Sequence, residues 1–340
     1  MNGAPALAGG IHCETSTLRV LFAGVGIALS EPMLFGLGSG LSFIYWDSRR
    51  QPLPFIGGRV KPFEIVRTVA ERCGVMLDVH ETASPRVAWE HVRGALDDGS
   101  AVGLQVDSYY LPYFTSRVHF AGHVVAMTGY DDRRAHLVDT AQQGGQVSTD
   151  LDSLAAARSA RGPMSARNRS FTIRAGTSRD LSPAIVDAIV AAADAYLHPP
   201  IANVGGRGVR TAARKVPTWL ERVADAPRDL PQIAALMERG GTGGGLFRAL
   251  YRDFLIEARD VVADDLAPAG ASALNRGVEL FADAARQWTR VAELIDAAGS
   301  EREPRLLSEA GTLLSAIADV ETAAMEGLHA LKLRGVGGRP

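Results

Sequence analysis

The chain has 340 residues, of which 46 % are hydrophobic and 22 % are charged, and its formal net charge is −2. This composition predicts a globular protein of two domains, and the near-neutral charge argues against an obligate nucleic-acid binder. Two cysteines cannot form a disulfide framework, and no cysteine or histidine cluster suggests a structural metal. No apolar segment is long enough to span a membrane, and "MNGAPALAGG" lacks the features of a signal peptide. We therefore expect a cytoplasmic protein.

The first half of the chain begins with signals for helices. The apolar residues of "STLRVLFAGVG" lie on one helical face, and Thr15 or Ser16 is predicted to cap this helix. Two further helices are predicted in "FEIVRTVAERCG", which ends at Gly74, and in "VAWEHVRGALDDG". Cys73 is therefore expected in the last turn of its helix, as a core or boundary residue.

Strand signals follow these helices. "SAVGLQVD" predicts a buried strand, and "GHVVAMTGYDDRRAHLVDT" predicts two short strands around a polar turn. "DLDSLAAARSARGPMSARNRSFTIRA" predicts a helix and a closing strand. A helix followed later by antiparallel strands indicates an α+β domain rather than an alternating parallel-sheet fold.

The composition changes near residue 175. Beyond it, "SPAIVDAIVAAADAYL" and "EPRLLSEAGTLLSAIADVETAAMEGLHAL" have the apolar spacing of long helices, and glycine-rich segments separate the helices. We therefore predict an α+β catalytic domain over residues 1–175 and an all-helical domain over residues 176–340, which binds a substrate or partner. The amphipathic carboxy-terminal helices are compatible with a homodimer.

Cys13 lies immediately before the first predicted helix, in "GGIHCETSTL". A thiolate at a helix start is stabilised by the helix dipole and by unpaired backbone N–H groups. The same N–H groups can hold an oxyanion during acyl transfer. Position alone leaves two interpretations open, a nucleophile or a buried cysteine without a chemical role.

A cysteine nucleophile needs a base, and the predicted hairpin contains one. If its turn is centred near Asp131, His123 and Asp139 face each other directly across the two strands and share one face of the sheet. The carboxylate would then orient the imidazole, as in a Ser-His-Asp triad with cysteine as the nucleophile. His119 has the same strand parity and is the rival base, but the sequence offers it no obvious carboxylate partner. The assignment depends on register, because a slip of one residue breaks the opposition.

The segment "HCETSTLRVLFAGVGIALSEPMLFGLGSGLSFIYW" resembles the amino-terminal domain of the BtrH family of butirosin biosynthesis proteins. The resemblance continues through "VDSYYLPY" and "HFAGHVVAMTGYDD" and into the helical half at "IANVGGRGV" and "ERGGTGGGLFRALYRDFLIEA". It implies a papain-like cysteine fold followed by a helical domain, with Cys13, His123 and Asp139 as the catalytic triad. The hairpin is also similar to the His and Asp segment of the peptidase domains that process bacteriocin leaders.

Those peptidases have a glutamine six residues before the cysteine, and this glutamine donates a hydrogen bond to the oxyanion. Leu7 stands at that position here, and residues 1–12 contain no glutamine. The oxyanion hole is therefore expected to use the backbone N–H groups of Cys13 and Glu14, or a side chain from elsewhere such as Gln105.

Further candidates for substrate binding come from the first half. Glu31 lies in an apolar stretch, where it can bind a substrate amine or cap the segment that begins at Pro32. Tyr109, Tyr110 and Tyr113 cluster with Asp107 after the buried strand, where a pocket rim is expected, although tyrosines at a strand end are as often plain packing.

Two glycine-rich segments supply candidates in the helical half. In "GGTGGGLFRALYRDFL", helix-start amides and Arg248 are predicted to hold an anion, such as a carboxylate or the phosphate of a pantetheine arm. The alternative is a tight interhelical turn with Arg248 on the surface. Thr242 and Tyr251 join the substrate-binding candidates of this segment, and Asn203 and Arg207 of "NVGGRGV" are predicted on a facing wall.

These features predict an acyltransferase of specialised metabolism that needs no cofactor. Cys13 would attack a thioester, borne on an acyl carrier protein or another thioester donor, and pass the acyl group to a small-molecule amine. The BtrH resemblance implies an aminoacyl or peptidyl group and an acceptor such as an aminoglycoside. Two alternatives are open: a cysteine hydrolase or cyclase (thioesterase, amidase or peptidase) on a carrier-bound or peptide substrate, and a non-catalytic binding protein of the same fold.

Overall fold

The computed structural model describes residues 8–48, 51–115, 119–162, 164–177, 179–240 and 242–333. The chain forms two compact units, which are not continuous in sequence. The first contains the residues up to Leu34 together with Pro62–Arg179, and the second contains Phe35–Lys61 together with the residues from Asp180 onwards. Phe35–Lys61 thus lies before the boundary predicted near residue 175 but belongs to the mainly helical unit.

The secondary structure includes most of the predicted elements. The helices are α1 (Cys13–Gly24), α2 (Glu31–Leu37), α3 (Glu64–Cys73), α4 (Pro85–Asp97), α5 (Leu151–Ser159), α6 (Leu181–Leu197), α7 (Gly205–Lys215), α8 (Trp219–Arg222), α9 (Ala226–Glu238), α10 (Gly245–Val262), α11 (Pro268–Glu301) and α12 (Pro304–His329). The strands are β1 (Leu41–Trp46), β2 (Phe55–Arg59), β3 (Met76–His80), β4 (Val102–Val106), β5 (His123–Tyr130), β6 (Arg134–Val138), β7 (Gln146–Asp150) and β8 (Ser170–Arg174). The sequence analysis missed β1, β2, β3 and β7.

The first unit is built on an antiparallel sheet with the strand order β3-β8-β4-β5-β6-β7. Every residue of β4 is buried, and Val106 at its end lies opposite His123 at the start of β5. Helix α1 packs against β5. The prediction of an α+β fold is confirmed, and the apolar core beside the sheet includes Val102, Leu104, Val125, Met127 and Leu137.

Helix α1 begins two residues earlier than its predicted cap. His12 precedes the first turn with an extended backbone, φ −126° and ψ 132°. The N–H of Ser16 donates to the carbonyl of His12 at 2.9 Å, which closes the first turn around Cys13. Thr15 and Ser16 are buried inside this turn, so the prediction that one of them caps the helix is wrong.

The second unit combines a hairpin with the helices from α6 to α12. Strands β1 and β2 pair antiparallel, and Phe43, Tyr45 and Ile56 of this hairpin share one apolar core with Trp219 and Trp288. This shared core explains why the hairpin belongs to the mainly helical unit. Among the helices in the described part of the chain, none combines the length and apolarity that crossing a membrane requires.

Candidate active site

Cys13 is the first residue of α1, and only 9 % of it is exposed. Because the N–H of Ser16 closes the first turn, the amide of Cys13 belongs to the group that has no carbonyl acceptor within the helix. The positive end of the helix dipole lies at the same point. The helix start therefore favours a negative charge on the sulfur or on an oxygen bound beside it.

The structure brings Cys13, His123 and Asp139 together. Nε2 of His123 lies 2.9 Å from each carboxylate oxygen of Asp139, and the imidazole also forms a hydrogen bond with Cys13. Asp139 thus holds Nε2 of the imidazole, whereas the carboxylate of the Ser-His-Asp arrangement holds Nδ1. Within the described residues, no group of His, Cys, Asp and Glu side chains is arranged to hold a metal ion.

The hairpin places Asp139 differently from the sequence prediction. Ala126 pairs with Val138, the last residue of β6, and a bulge follows towards the turn. Continuing this register sets Asp139 level with Val125 rather than with His123. The offset is two residues, so the two side chains stay on one face and meet diagonally. The predicted direct opposition is wrong, although the two side chains are in contact.

The neighbours of His123 favour its charged form. Burial alone would lower the pKa of His123, but the charge and hydrogen bond of Asp139, followed by those of Cys13, raise it from 6.5 to about 10. Near neutral pH the imidazolium is therefore the dominant form of His123. A proton donor is thus already in place next to the sulfur.

We expect Asp139→Asn to lower the pKa of His123 from about 10 towards 6.5, because asparagine removes the charge that raises it. Titration of the imidazole C–H resonances by NMR measures this shift. A raised pKa also means that His123 contributes stability which is fully present below about pH 6.5 and is lost as the pH rises through about 10. In Asp139→Asn the stability contributed by His123 is lost at a lower pH than in the wild type, because the pKa of His123 is lower.

The matched control for this titration is Asp78→Asn, because Asp78 pairs with His80 at 3.2 Å on the surface. It is expected to leave the midpoint of His123 unchanged. An unchanged midpoint in Asp139→Asn would contradict the assignment of Asp139 as the partner that charges His123.

Two further donors hold the carboxylate of Asp139. The hydroxyl of Tyr113 donates to Oδ2 at 2.9 Å, and the N–H of Thr140 donates to Oδ1 at 2.6 Å. Burial and the adjacent carboxylate raise the pKa of Tyr113, so its phenol stays a donor. Phe114 packs edge-on against His123 with ring centroids 5.1 Å apart. The sequence analysis noted the tyrosines after β4 but gave no signal that one of them reaches Asp139.

His119 has a carboxylate partner, contrary to the sequence prediction. Its Nδ1 lies 2.8 Å from Oδ2 of Asp107, and its ring stacks on Tyr109 with centroids 4.0 Å apart. The other oxygen of Asp107 accepts hydrogen bonds from the N–H groups of Tyr109 and Phe120 at 3.1 and 2.9 Å. Tyr110 packs edge-on beside them. Three of the predicted rim residues, Asp107, Tyr109 and Tyr110, therefore contact His119, whose side chain is 61 % exposed.

The side chain suggested as an oxyanion donor is engaged in other contacts. Nε2 of Gln105 donates to the carbonyl of Ala121 at 2.7 Å, and its Oε1 accepts from Arg169 at 2.8 Å. Gln105 therefore links β4 to the segment before β5, and these contacts give no support to an oxyanion role. Leu7 lies outside the described residues. The backbone N–H groups of Cys13 and Glu14 stay the predicted donors.

Glu31 does not cap α2. The helix start is capped by the side-chain oxygen of Ser30. The Glu31 carboxylate, 7 % exposed, accepts hydrogen bonds from the backbone N–H groups of Ile11 and His12 and from the hydroxyl of Thr15. The capping role is therefore replaced by contacts with the chain that precedes and follows Cys13, and a contact of Glu31 with a substrate amine stays a prediction.

Arg248, in the second unit, is fully buried and neither binds an external anion nor lies on the surface. Its Nε and Nη2 donate to the two oxygens of Glu321 at 2.7 and 2.9 Å. Trp288 and Tyr196 donate to the same carboxylate, each at 2.7 Å. The anion predicted to come from a ligand is thus supplied by Glu321, which the sequence analysis did not single out.

The first residue of α10 also binds a carboxylate of the protein itself. The N–H of Gly245 donates to Oε1 of Glu238 at 3.2 Å. The carbonyl of Thr242 accepts from the N–H of Gly58 at 2.6 Å, and Tyr251 is buried among aromatic rings of the second unit. These contacts give structural roles to residues predicted to bind substrate.

Asn203 and Arg207 lie at the start of α7. The carbonyl of Asn203 accepts from the N–H of Tyr45 at 2.9 Å, which ties the start of α7 to β1. The side chain of Arg207 is exposed. The contact of Asn203 is structural, and a substrate contact for Arg207 stays a prediction.

Two comparisons with known families agree with this architecture. The family described as "Butirosin biosynthesis protein H, N-terminal" matches residues 12–140, which include Cys13, His123 and Asp139. A second family, a domain of unknown function (DUF4872), matches residues 152–328. The chain therefore belongs to the BtrH-like family, in which these two domains follow one another. No curated protein matches the sequence. The family indicates an enzyme of antibiotic biosynthesis.

Proposed function

We propose that the chain is a cysteine-dependent acyltransferase of antibiotic biosynthesis, which moves an aminoacyl or peptidyl group from a carrier-protein thioester to an amine. The observation that supports this proposal is the imidazole of His123, held between the carboxylate of Asp139 at 2.9 Å and the thiol of Cys13. A helix-start cysteine beside a His–Asp pair on a sheet is also the basis for proposing a papain-like first unit.

In the first half-reaction the Cys13 thiolate attacks the carbonyl carbon of the thioester, and an electron pair moves onto the carbonyl oxygen. The N–H groups of Cys13 and Glu14 hold this oxyanion. When it collapses, the bond between the carbonyl carbon and the donor sulfur breaks, and the imidazolium of His123 gives its proton to the departing thiolate. The products are an acyl-enzyme and a free donor thiol.

Acylation removes the thiolate charge that helps to raise the pKa of His123, so neutral imidazole becomes more favourable. It takes a proton from the acceptor amine while the nitrogen attacks the acyl carbon. The amide bond forms, the carbon–sulfur bond to Cys13 breaks, and the thiolate–imidazolium pair returns. Water or a nucleophile within the acyl group would give a hydrolase or a cyclase instead.

Intact-protein mass spectrometry after incubation with a panel of aminoacyl thioesters tests the proposal. We expect a mass increase of one acyl group on Cys13, absent in Cys13→Ser. Cys73→Ser is the matched control and keeps the adduct, because Cys73 is buried and burial raises its pKa to about 11.

The fate of the adduct distinguishes the reactions. Discharge on addition of an amine supports the transferase, whereas discharge to water or by internal closure supports the hydrolase or the cyclase. No adduct from any donor of the panel contradicts covalent catalysis and favours the non-catalytic alternative.

A further inference from the structure

The carboxylate of Glu31 contacts the chain on both sides of Cys13. The N–H of Ile11 donates to Oε2 at 2.8 Å, and the N–H of His12 donates to Oε1 at 3.2 Å. The hydroxyl of Thr15 lies 2.9 Å from Oε1 and 3.2 Å from the carbonyl of His12, so the carboxylate is its nearer acceptor. Three donors, all from within four residues of one another, thus converge on one buried carboxylate.

Gly10 provides the space for this approach. A Cβ at Gly10 would lie 2.2 Å from the carboxyl carbon of Glu31, far inside any normal contact. The carboxylate therefore lies against the backbone of Gly10 while it accepts the two following N–H groups. Hydrogen bonds to a charged acceptor are roughly twice as strong as neutral ones, which makes this an effective anchor for the segment.

We propose that Glu31 is a positioning residue for the nucleophile. Its carboxylate fixes the two residues that precede Cys13 and, through Thr15, the first turn of α1, so that the sulfur stays directed at His123. The inference rests on the proposed function, because the position of the thiol matters only if it reacts. A misplacement of about 1 Å can cost about 100-fold in rate, so loss of this anchor has a kinetic consequence.

The test measures the rate constant of Cys13 with iodoacetamide as a function of pH, with Cys73 as the reference thiol in the same molecule. In Glu31→Gln an amide NH₂ replaces one acceptor oxygen and faces the backbone donors. We expect the rate at Cys13 to fall about 10-fold and its pH profile to change, while the rate at Cys73 is unchanged. Glu64→Gln is the matched control, because Glu64 is the first residue of α3 and pairs with Arg67 on the surface.

A second pair of variants tests the same contact from the other side. Gly10→Ala forces a methyl group against the Glu31 carboxylate and is expected to lower the rate at Cys13 in the same way. Glu31→Asp withdraws the carboxylate by one methylene. The double variant Gly10→Ala/Glu31→Asp is therefore expected to recover part of the rate that Gly10→Ala alone loses.

Two outcomes overturn the inference for different reasons. If Glu31→Gln lowers the melting temperature but leaves the rate and pH profile of Cys13 as in the wild type, Glu31 is a structural anchor only. If wild-type Cys13 reacts no faster than Cys73, the proposed function loses its nucleophile, and this inference falls with it.

Discussion

Replacing His123 with glutamine is expected to slow the acylation of Cys13 by about 10²–10⁴-fold, the usual contribution of a general acid–base group. Glutamine cannot carry the positive charge that stabilises the thiolate, and it cannot return a proton to the departing donor thiol. The effect is read as the rate at which the acyl adduct appears on Cys13 in intact-protein mass spectrometry.

His119→Gln is the matched control for this experiment, because each histidine has an aspartate 2.8–2.9 Å away. The two differ in exposure and in partner. The side chain of His119 is 61 % exposed and that of His123 is 9 % exposed, and His123 is the one hydrogen-bonded to Cys13. His119→Gln is therefore expected to acylate at the wild-type rate. If His119→Gln acylates slowly and His123→Gln acylates at the wild-type rate, His119 and not His123 is the base.

The contact between His123 and Asp139 could be predicted although the exact strand register could not, because a register error of two residues leaves a side chain on the same face of the sheet. The sequence analysis placed the two residues directly opposite, whereas the register sets Asp139 level with Val125. A displacement of two residues keeps a side chain on its face of the sheet, and a displacement of one would have removed it. The position of Cys13 alone could not separate a nucleophile from a buried thiol. The predicted His123–Asp139 pair, reinforced by the family resemblance, favoured the nucleophile.

Contacts between distant segments could not be predicted in this way. Arg248 follows a run of glycines, a local pattern typical of an anion site, and its partner Glu321 lies 73 residues further along on another helix. Gln105 and Glu31 likewise have polar side chains suited to a substrate, but their partners include backbone groups of other segments, whose direction no sequence pattern specifies. Local patterns identified Arg248, Gln105 and Glu31 as residues of interest, and only the fold decided which partner each one meets.

Glu321→Gln is expected to lower the free energy of unfolding by about 3–5 kcal/mol, the usual cost of removing one partner from a buried ion pair. Arg248 and Glu321 are both fully buried, and Trp288 and Tyr196 also donate to the carboxylate. The remaining guanidinium nitrogen, Nη1 of Arg248, has no hydrogen-bond partner among the described residues. Without Glu321 the charge of Arg248 would therefore stay buried and uncompensated. Urea denaturation followed by far-UV circular dichroism measures the loss.

Asp319→Asn, two residues earlier on α12, is the matched control. Asp319 pairs with Arg210 at 2.7 Å, but both side chains are largely exposed, and such pairs contribute about 0.2–1 kcal/mol. The double variant Arg248→Met/Glu321→Leu should recover part of the stability lost by Glu321→Gln, because it leaves no buried charge unpaired. Equal, small losses in Glu321→Gln and Asp319→Asn would contradict this account. The stability of the second unit would then not depend on the buried ion pair between Arg248 and Glu321.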